Sequence, residues 1–194
     1  MNNQYYNTNA QIFYDSTINV EMSALYKKFL PLIPTQGYIL DAGCGSGRDT
    51  LAFIQQGFYV EAFDASEVLV KLARDLTKQN IRHDTFLTFT TPTLFNAIWA
   101  CASLLHVPTN SLTQTFAHLA QMLKPNAVFY CSFKYGDNEV IRNGRRFTNL
   151  NADLLKYYLK DTQLKIKETW ISQDLRPKRE QEKWLNAILI KEAL

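Results

Sequence analysis

The sequence predicts an α/β fold: a doubly wound, mostly parallel sheet of about seven strands, with helices on both faces and one antiparallel strand near the C-terminus. Three observations predict it. Short apolar runs alternate with helical patterns along residues 22–135. The first apolar run enters a dense glycine cluster, Gly43, Gly45 and Gly47 in DAGCGSGRD. The last two strand candidates, 164–172 and 183–190, have no long helical pattern between them, so they are expected to pair antiparallel.

The elements follow in order. Residues 22–33 carry helically spaced apolar groups until Pro31 and Pro34 end the pattern. Tyr38-Ile39-Leu40 is a brief strand running into the glycines, and Arg48–Gln56 is a helix stopped by Gly57. Phe58–Phe63 is the second strand, ending at Asp64; Ser66 caps a helix through Gln79 whose Val68, Leu69, Leu72, Ala73 and Leu76 share a face. A third strand is expected within 81–89 on a weak pattern, and a clear fourth at Ala97–Ala102. Asn110–Lys124 is a helix, Pro125-Asn126 a turn, and Ala127–Tyr135 the fifth strand. A polar loop (136–149) and a helix over 151–160 precede the final strands.

Composition limits the function. The 194 residues are 46% hydrophobic and no Pro/Gly/Ser linker divides them, so one domain with a real core is expected. Residues 1–131 hold 8 Lys/Arg against 9 Asp/Glu and residues 132–194 hold 13 against 9, a mildly basic C-terminal third. That is far short of the dense stripe of a nucleic-acid binder, and suits either a solvated face or an anionic small ligand. Cys44, Cys101 and Cys131 are widely spaced and show no metal or CxxC spacing. They read as reduced thiols, and the polar N-terminus MNNQYYNTNAQ lacks a signal-peptide pattern, so a cytoplasmic location is expected. The longest apolar stretch, around Ala97–Val107, is too short to span a bilayer.

Glycine is scarce here, at seven residues, yet three of them lie within five positions. A strand that ends in Gly-x-Gly-x-Gly and opens a helix brings backbone N–H groups and a helix N-terminus close to a ligand. The dinucleotide fingerprint fails, because the sixth position from Gly43 is Arg48 and from Gly45 is Thr50. No Gly-Lys-Ser/Thr follows, so the Walker loop fails too. Asp64 ends the next strand, 19 residues after Gly45, where a carboxylate accepts hydrogen bonds from both ribose hydroxyls of a nucleoside. An adenosine-type ligand at the C-terminal ends of the strands is the expectation.

The runs ILDAGCGSGRD, AFDAS, FNAIWACASLLHVP and LKPNAVFYCSFK, in that order, resemble the class I S-adenosylmethionine-dependent methyltransferases over roughly residues 37–135. The stretch Ala100–His106 looks closest to small bacterial tellurite-resistance-like (type 11-12) members. The resemblance implies a Rossmann-like fold with S-adenosyl-L-methionine as cofactor. It divides the chain into a cap (1–36), a cofactor-binding core (37–135) and C-terminal strands with acceptor-side loops (136–194). It assigns Asp41 to the cofactor's amino end, and Gly43, Cys44, Gly45 and Gly47 to the loop under methionine and ribose. Asp64 becomes the ribose acid, Ala65 the residue against adenine, and Cys101 part of the wall on the sulfonium side. Arg48 is a candidate for the cofactor carboxylate, or equally a partner of Asp49. Two positions depart from the family. Thr88 stands near where many relatives place the acid that holds the adenine amino group, and Asn96 stands where a strand-opening Asp is common.

Methyl transfer needs donor and acceptor aligned, and a general base only if the acceptor must first lose a proton. His106, just after the fourth strand, is the candidate base; packing at a helix start is the competing reading. His83 and His118 read as ordinary surface or helix residues. The Asp/Asn-Pro-Pro-Tyr/Phe motif of amino-methylating DNA enzymes is absent, as is a Pro-Cys pair, and the residues beyond 136 are too few for a target-recognition domain. A small-molecule acceptor is therefore expected, with no DNA-specific module and no membrane; oligomeric state stays open. Tyr5, Tyr6 and Tyr14 suggest an aromatic lid or an aromatic segment pinned on the sheet edge. Lys134, Tyr135, Arg142, Arg145, Arg146 and Arg176 suggest a grip on an anionic acceptor, while Trp170 and Trp184 read as core. A non-catalytic S-adenosylmethionine-binding or scaffold module remains the alternative, and a nicotinamide-linked reductase is disfavoured by Arg48.

Overall fold

The computed structural model describes residues 2–176, 179 and 181–193. Within them a seven-stranded sheet runs in the order β3 (Arg82–His83), β2 (Tyr59–Asp64), β1 (Tyr38–Ala42), β4 (Phe95–Ala100), β5 (Leu123–Lys134), β9 (Lys183–Lys191) and β8 (Leu164–Gln173). The β3, β2, β1, β4 and β5 neighbours are parallel; β9 pairs antiparallel with β5 and with β8. This is the predicted doubly wound α/β fold with one reversed strand. The helices are α1 (Asn2–Thr8), α2 (Ala10–Thr17), α3 (Ser23–Phe29), α4 (Arg48–Gln55), α5 (Glu67–Thr77), α6 (Thr109–Gln121) and α7 (Ala152–Leu159). None is long and apolar enough to cross a membrane.

The central strands are buried on both faces, as parallel sheets require. Alternate residues feed two cores. Leu40, Ile98, Ala100 and Phe129 pack with Leu112, Phe116 and Leu119 of α6. Their neighbours Ile39, Ala97, Trp99, Val128 and Tyr130 pack with Phe29 of α3 and Phe53 of α4. The order of strands reverses between β1 and β4, and open sheets bind ligands at such a point, outside the carboxyl ends of the strands.

Local signals acted as expected at several ends. Gly57, at φ +86°, follows α4, the Ser66 hydroxyl accepts from Leu69 N at 3.3 Å to cap α5, and Asn151 caps α7 through Leu154 N. Asn96 is structural: its Oδ1 accepts from Tyr38 N and from Lys124 Nζ.

Three expectations need correction. The third strand is only Arg82–His83, because Thr85–Phe89 folds into a turn closed by Phe89 N to Thr85 O. Pro125-Asn126 is not a turn ahead of β5; it forms an irregularity inside that strand, with Asn126 at φ +61°, where the register with β4 shifts between Phe95 and Ala97. The polar loop 136–149 contains an antiparallel hairpin, β6 (Glu139–Arg142) with β7 (Arg145–Thr148). Trp184 packs against the core as expected but also borders a cavity.

Candidate active site

The loop after β1 is shaped by glycines at φ +79° (Gly43), +54° (Gly45) and +80° (Gly47). Gly43 N and Cys44 N both donate to the Phe63 carbonyl, which ties the loop to β2. At the end of β2 the Asp64 carboxylate accepts from Gly45 N through Oδ2 at 2.9 Å and from Ser66 N through Oδ1 at 2.8 Å. One side chain thus joins the glycine loop, β2 and the N-terminus of α5, and burial pushes its pKa up. A methyl group on Gly45 would come within 3.1 Å of the Phe13 ring of α2, so the N-terminal helices lie directly over the loop.

These elements wall a cavity of about 330 Å³. Its wall includes Gly43–Ser46, Asp64–Ser66, Leu69 and Asp84–Phe86, together with Tyr6, Met22, Leu25, His106, Ser132, Lys134, Arg145, Phe147 and Arg176. Arg48, Asp49 and Cys101–Ser103 line it as well.

Eleven of the sequence-predicted site residues line this cavity: Gly43, Cys44, Gly45, Arg48, Asp64, Ala65, Cys101, His106, Lys134, Arg145 and Arg176. Asp41, Gly47, Thr88, Tyr14, Tyr135 and Arg146 do not. Asp41 is buried beneath the loop, accepting from the Thr50 hydroxyl at 2.6 Å, and burial together with neighbouring Asp49 raises its pKa to about 8. Gly47 serves packing instead, since a Cβ there would lie 3.0 Å from Ala73 Cβ of α5. Tyr135 is exposed, and Tyr14 is half-buried on α2. Thr88 holds the carboxylate that does line the cavity, Asp84, through its hydroxyl. Sequence reading placed the residue after the third strand too late because it made that strand too long.

The basic cluster divides. Arg48 binds Asp49 with both Nε and Nη2, at 2.7 and 2.9 Å, and donates from Nη1 to the Thr17 carbonyl. Arg176 makes the same two-point pair with Asp174, Lys134 and Arg179 face Glu182, and Arg146 turns away to Glu139. Arg145 differs. Its guanidinium lies over the Tyr5 ring at 4.2 Å and the Phe147 ring at 5.1 Å. Its Nε is buried without an acceptor, and no carboxylate among the described residues pairs with it.

The aromatic N-terminus closes one side. Asn7 Oδ1 accepts from the Ser66 hydroxyl at 2.6 Å, and Asn2 binds Arg146 N through Oδ1 at 2.9 Å, so α1 bridges α5 and the β6–β7 hairpin. Tyr6 packs edge-on against Phe13 and its hydroxyl lies 2.7 Å from His106 Nε2. His106 Nδ1 lies 2.7 Å from the Arg146 carbonyl. Burial and Arg145 push the His106 pKa down to about 4. Sequence reasoning missed the cavity-facing Asn2, Phe13, Asp84 and Phe147, whose neighbours carry no motif. Alternation along β7 is the one signal that points to Phe147.

Residues 14–163 match a family described as the methyltransferase domain. No curated protein matches in sequence. Among solved structures, the chain is similar to 1,6-didemethyltoxoflavin-N1-methyltransferase of Burkholderia thailandensis, solved with 1,6-didemethyltoxoflavin and S-adenosylhomocysteine. The TM-score is 0.78 at 20% identity, over 98% of this chain and 85% of that one. It is also similar to the N-methyltransferase NodS of Bradyrhizobium japonicum WM9, solved with S-adenosylhomocysteine (TM-score 0.73, 16% identity, 96% and 98% covered). A third likeness is to the [4+2]-cyclase SpnF (TM-score 0.72, 14% identity, 89% and 80% covered), so the same fold also carries chemistry other than methyl transfer. Fold, strand order and the match over most of the chain agree: the chain belongs to the methyltransferase domain family.

Proposed function

We propose that this protein is an S-adenosylmethionine-dependent methyltransferase acting on a small acceptor that carries an anionic group. The observation that carries the reading is Asp64: a buried carboxylate in the cavity wall, locked to the glycine loop by Gly45 N. Its remaining lone pairs suit the two hydroxyls of a ribose. Ala65, Leu69 and Phe86 offer an apolar slot beside it for a purine, and Asp84 at the slot's edge suits an exocyclic amino group. Arg48, Cys101 and Ser103 also line the cavity and suit the amino-acid end of the cofactor. The donor set and the absence of side chains on Gly43 and Gly45 fit the group. Two of the similar proteins were solved with S-adenosylhomocysteine, which supports the same cofactor here.

S-adenosylmethionine, when bound, supplies a methyl group on a sulfonium sulfur. The chain's own part is placement. Orientation of two reactants about 3 Å apart supplies a large share of the acceleration in such a displacement. The α1–α2 cap and β7 wall the cavity through Tyr6, Phe13, Arg145 and Phe147. Arg145, the cavity-lining cation that pairs with no described carboxylate, is placed to bind an anionic group of the acceptor. Phe147 and Trp184 provide flat apolar walls.

Isothermal calorimetry with S-adenosylmethionine and S-adenosylhomocysteine tests this directly. Micromolar binding that Asp64→Ala abolishes is the expected result, and no binding to either compound defeats the reading. Binding without methylated product across a panel of acids favours the second reading, a sensing or scaffold module.

A further inference from the structure

We propose, on the methyltransferase reading above, that Tyr6 and His106 form a proton relay for the acceptor's reacting atom, with Tyr6 touching the acceptor and His106 a positioning residue behind it. The geometry assigns every proton. The Arg146 carbonyl can only accept, so His106 Nδ1, 2.7 Å away, carries the hydrogen. Nε2 is then a bare lone pair, and the Tyr6 hydroxyl, also 2.7 Å away, must donate into it. That leaves the Tyr6 oxygen with only lone pairs, one of them met by Arg145. Both side chains line the cavity, so a donor N–H or O–H on the acceptor meets a hydrogen-bond acceptor of defined direction.

The surroundings set what this relay can do. From β7, Arg145 faces the pair, and the adjacent Arg146 is neutralised by Glu139. From α1, Tyr5 lies against Tyr6, and from β2, Asp64 acts on Tyr6 at longer range. Burial and Arg145 hold the imidazole neutral, with its pKa pushed down to about 4. A base this weak cannot ionise an alcohol beforehand. It can take a proton as methylation makes that proton acidic. The acceptor nitrogen's lone pair bonds to the methyl carbon, and the carbon–sulfur bond breaks with its pair going to sulfur. The nitrogen's proton passes to Tyr6 Oη while the Tyr6 proton passes to Nε2. One positive charge disappears from sulfur as one appears on His106, so the cavity's net charge is unchanged. The suited acceptor is a weakly basic amine N–H with its own lone pair, an aryl amine, whose methylated cation is at least about as acidic as this imidazolium.

The test has a readout independent of turnover. In the full chain saturated with S-adenosylhomocysteine, long-range ¹H–¹⁵N NMR should show His106 as the neutral Nδ1–H tautomer down to about pH 5. Tyr6→Phe, which removes the hydrogen bond that favours the neutral ring, should raise its titration midpoint. An Nε2–H tautomer, or a midpoint indifferent to Tyr6→Phe, overturns the relay. In turnover with 4-aminobenzoate, 3-aminobenzoate and 4-hydroxybenzoate, the nitrogen acids should be methylated. Tyr6→Phe should cut kcat roughly a hundredfold, the scale of an acid–base contribution, with S-adenosylhomocysteine affinity changed by less than about threefold. Preference for 4-hydroxybenzoate, no turnover of the nitrogen acids, or an unchanged kcat overturns it. Failure to bind S-adenosylhomocysteine at all would instead strike the methyltransferase reading; the tautomer of His106 in the free protein would still judge the hydrogen bonds.

Discussion

Asp49 Oδ2 accepts the indole N–H of Trp99 at 2.8 Å, joining the first turn of α4 to the C-terminal end of β4. The same carboxylate accepts from the Tyr26 hydroxyl at 2.5 Å and from Arg48 at two points. Its pKa is held below the ordinary value despite complete burial, with Arg48 the main stabilising charge. Removing one member of such a buried set strands the others.

Asp49→Ala should therefore destabilise the fold by about 3 kcal/mol or more, the usual scale for orphaning a buried charge. Urea unfolding followed by tryptophan fluorescence measures it. A loss under about 1 kcal/mol would mean that water or rearrangement satisfies Arg48, Tyr26 and Trp99.

Asp41 gives a pH dependence of the opposite kind. Its folded pKa is raised from 3.8 to about 8, so the folded state holds a proton that the unfolded chain releases. Its contribution is complete below pH 3.8 and is lost as pH rises toward about 8. Asp41→Asn, which cannot ionise, should flatten the decline in stability between these two values. Unfolding curves at pH 5, 6, 7 and 8 compare the slopes, and equal slopes in both proteins would refute the assignment.

Asp84 and Thr88 separate by their place in the wall. Asp84→Ala should weaken S-adenosylhomocysteine binding about tenfold, the scale of one charged hydrogen bond. Thr88→Val should weaken it by less, since Thr88 acts only by holding Asp84. Calorimetry on both variants decides, and a larger effect from Thr88 would restore the position that sequence reading favoured.

Arg145 and Arg146 should likewise part. Arg145→Ala is expected to raise the KM for an acidic acceptor at least about tenfold, consistent with the loss of a charge-assisted pair. Arg146→Ala leaves the backbone that binds Asn2 and His106 and should change KM by less than about threefold. Steady-state kinetics with the same acid measures both, and equal effects would place the anion elsewhere.

Gly47→Ala should lower Tm without a matching loss of donor affinity. It forces a side chain into φ +80° and against Ala73 on α5, strain of roughly 1–2 kcal/mol before any clash. Thermal unfolding and calorimetry together test whether this glycine serves helix packing or ligand contact.

Much of the donor side was legible in the sequence because its signals are local. The glycine loop, Asp64 at a strand end and the Ser66 cap are each set by a few consecutive residues, and backbone sterics act over that range. Asp84 was not, because a two-residue strand leaves no periodicity, and its edge is defined only by pairing with Phe63 and Asp64 across β2. The Tyr6–His106 pair spans a hundred residues of chain and has no local signature.

The amino-acid sequence by itself determined the fold, the place of the glycine loop and the acid beside it. Tertiary structure alone decided which arginine faces the cavity. Arg145 and Arg146 are neighbours of the same chemistry in a stretch that reads as loop. Once paired with β6 they lie on a strand, where successive side chains point to opposite faces. One is set among aromatic rings in the cavity and the other against Glu139, and no pattern within the residues around them distinguishes the two.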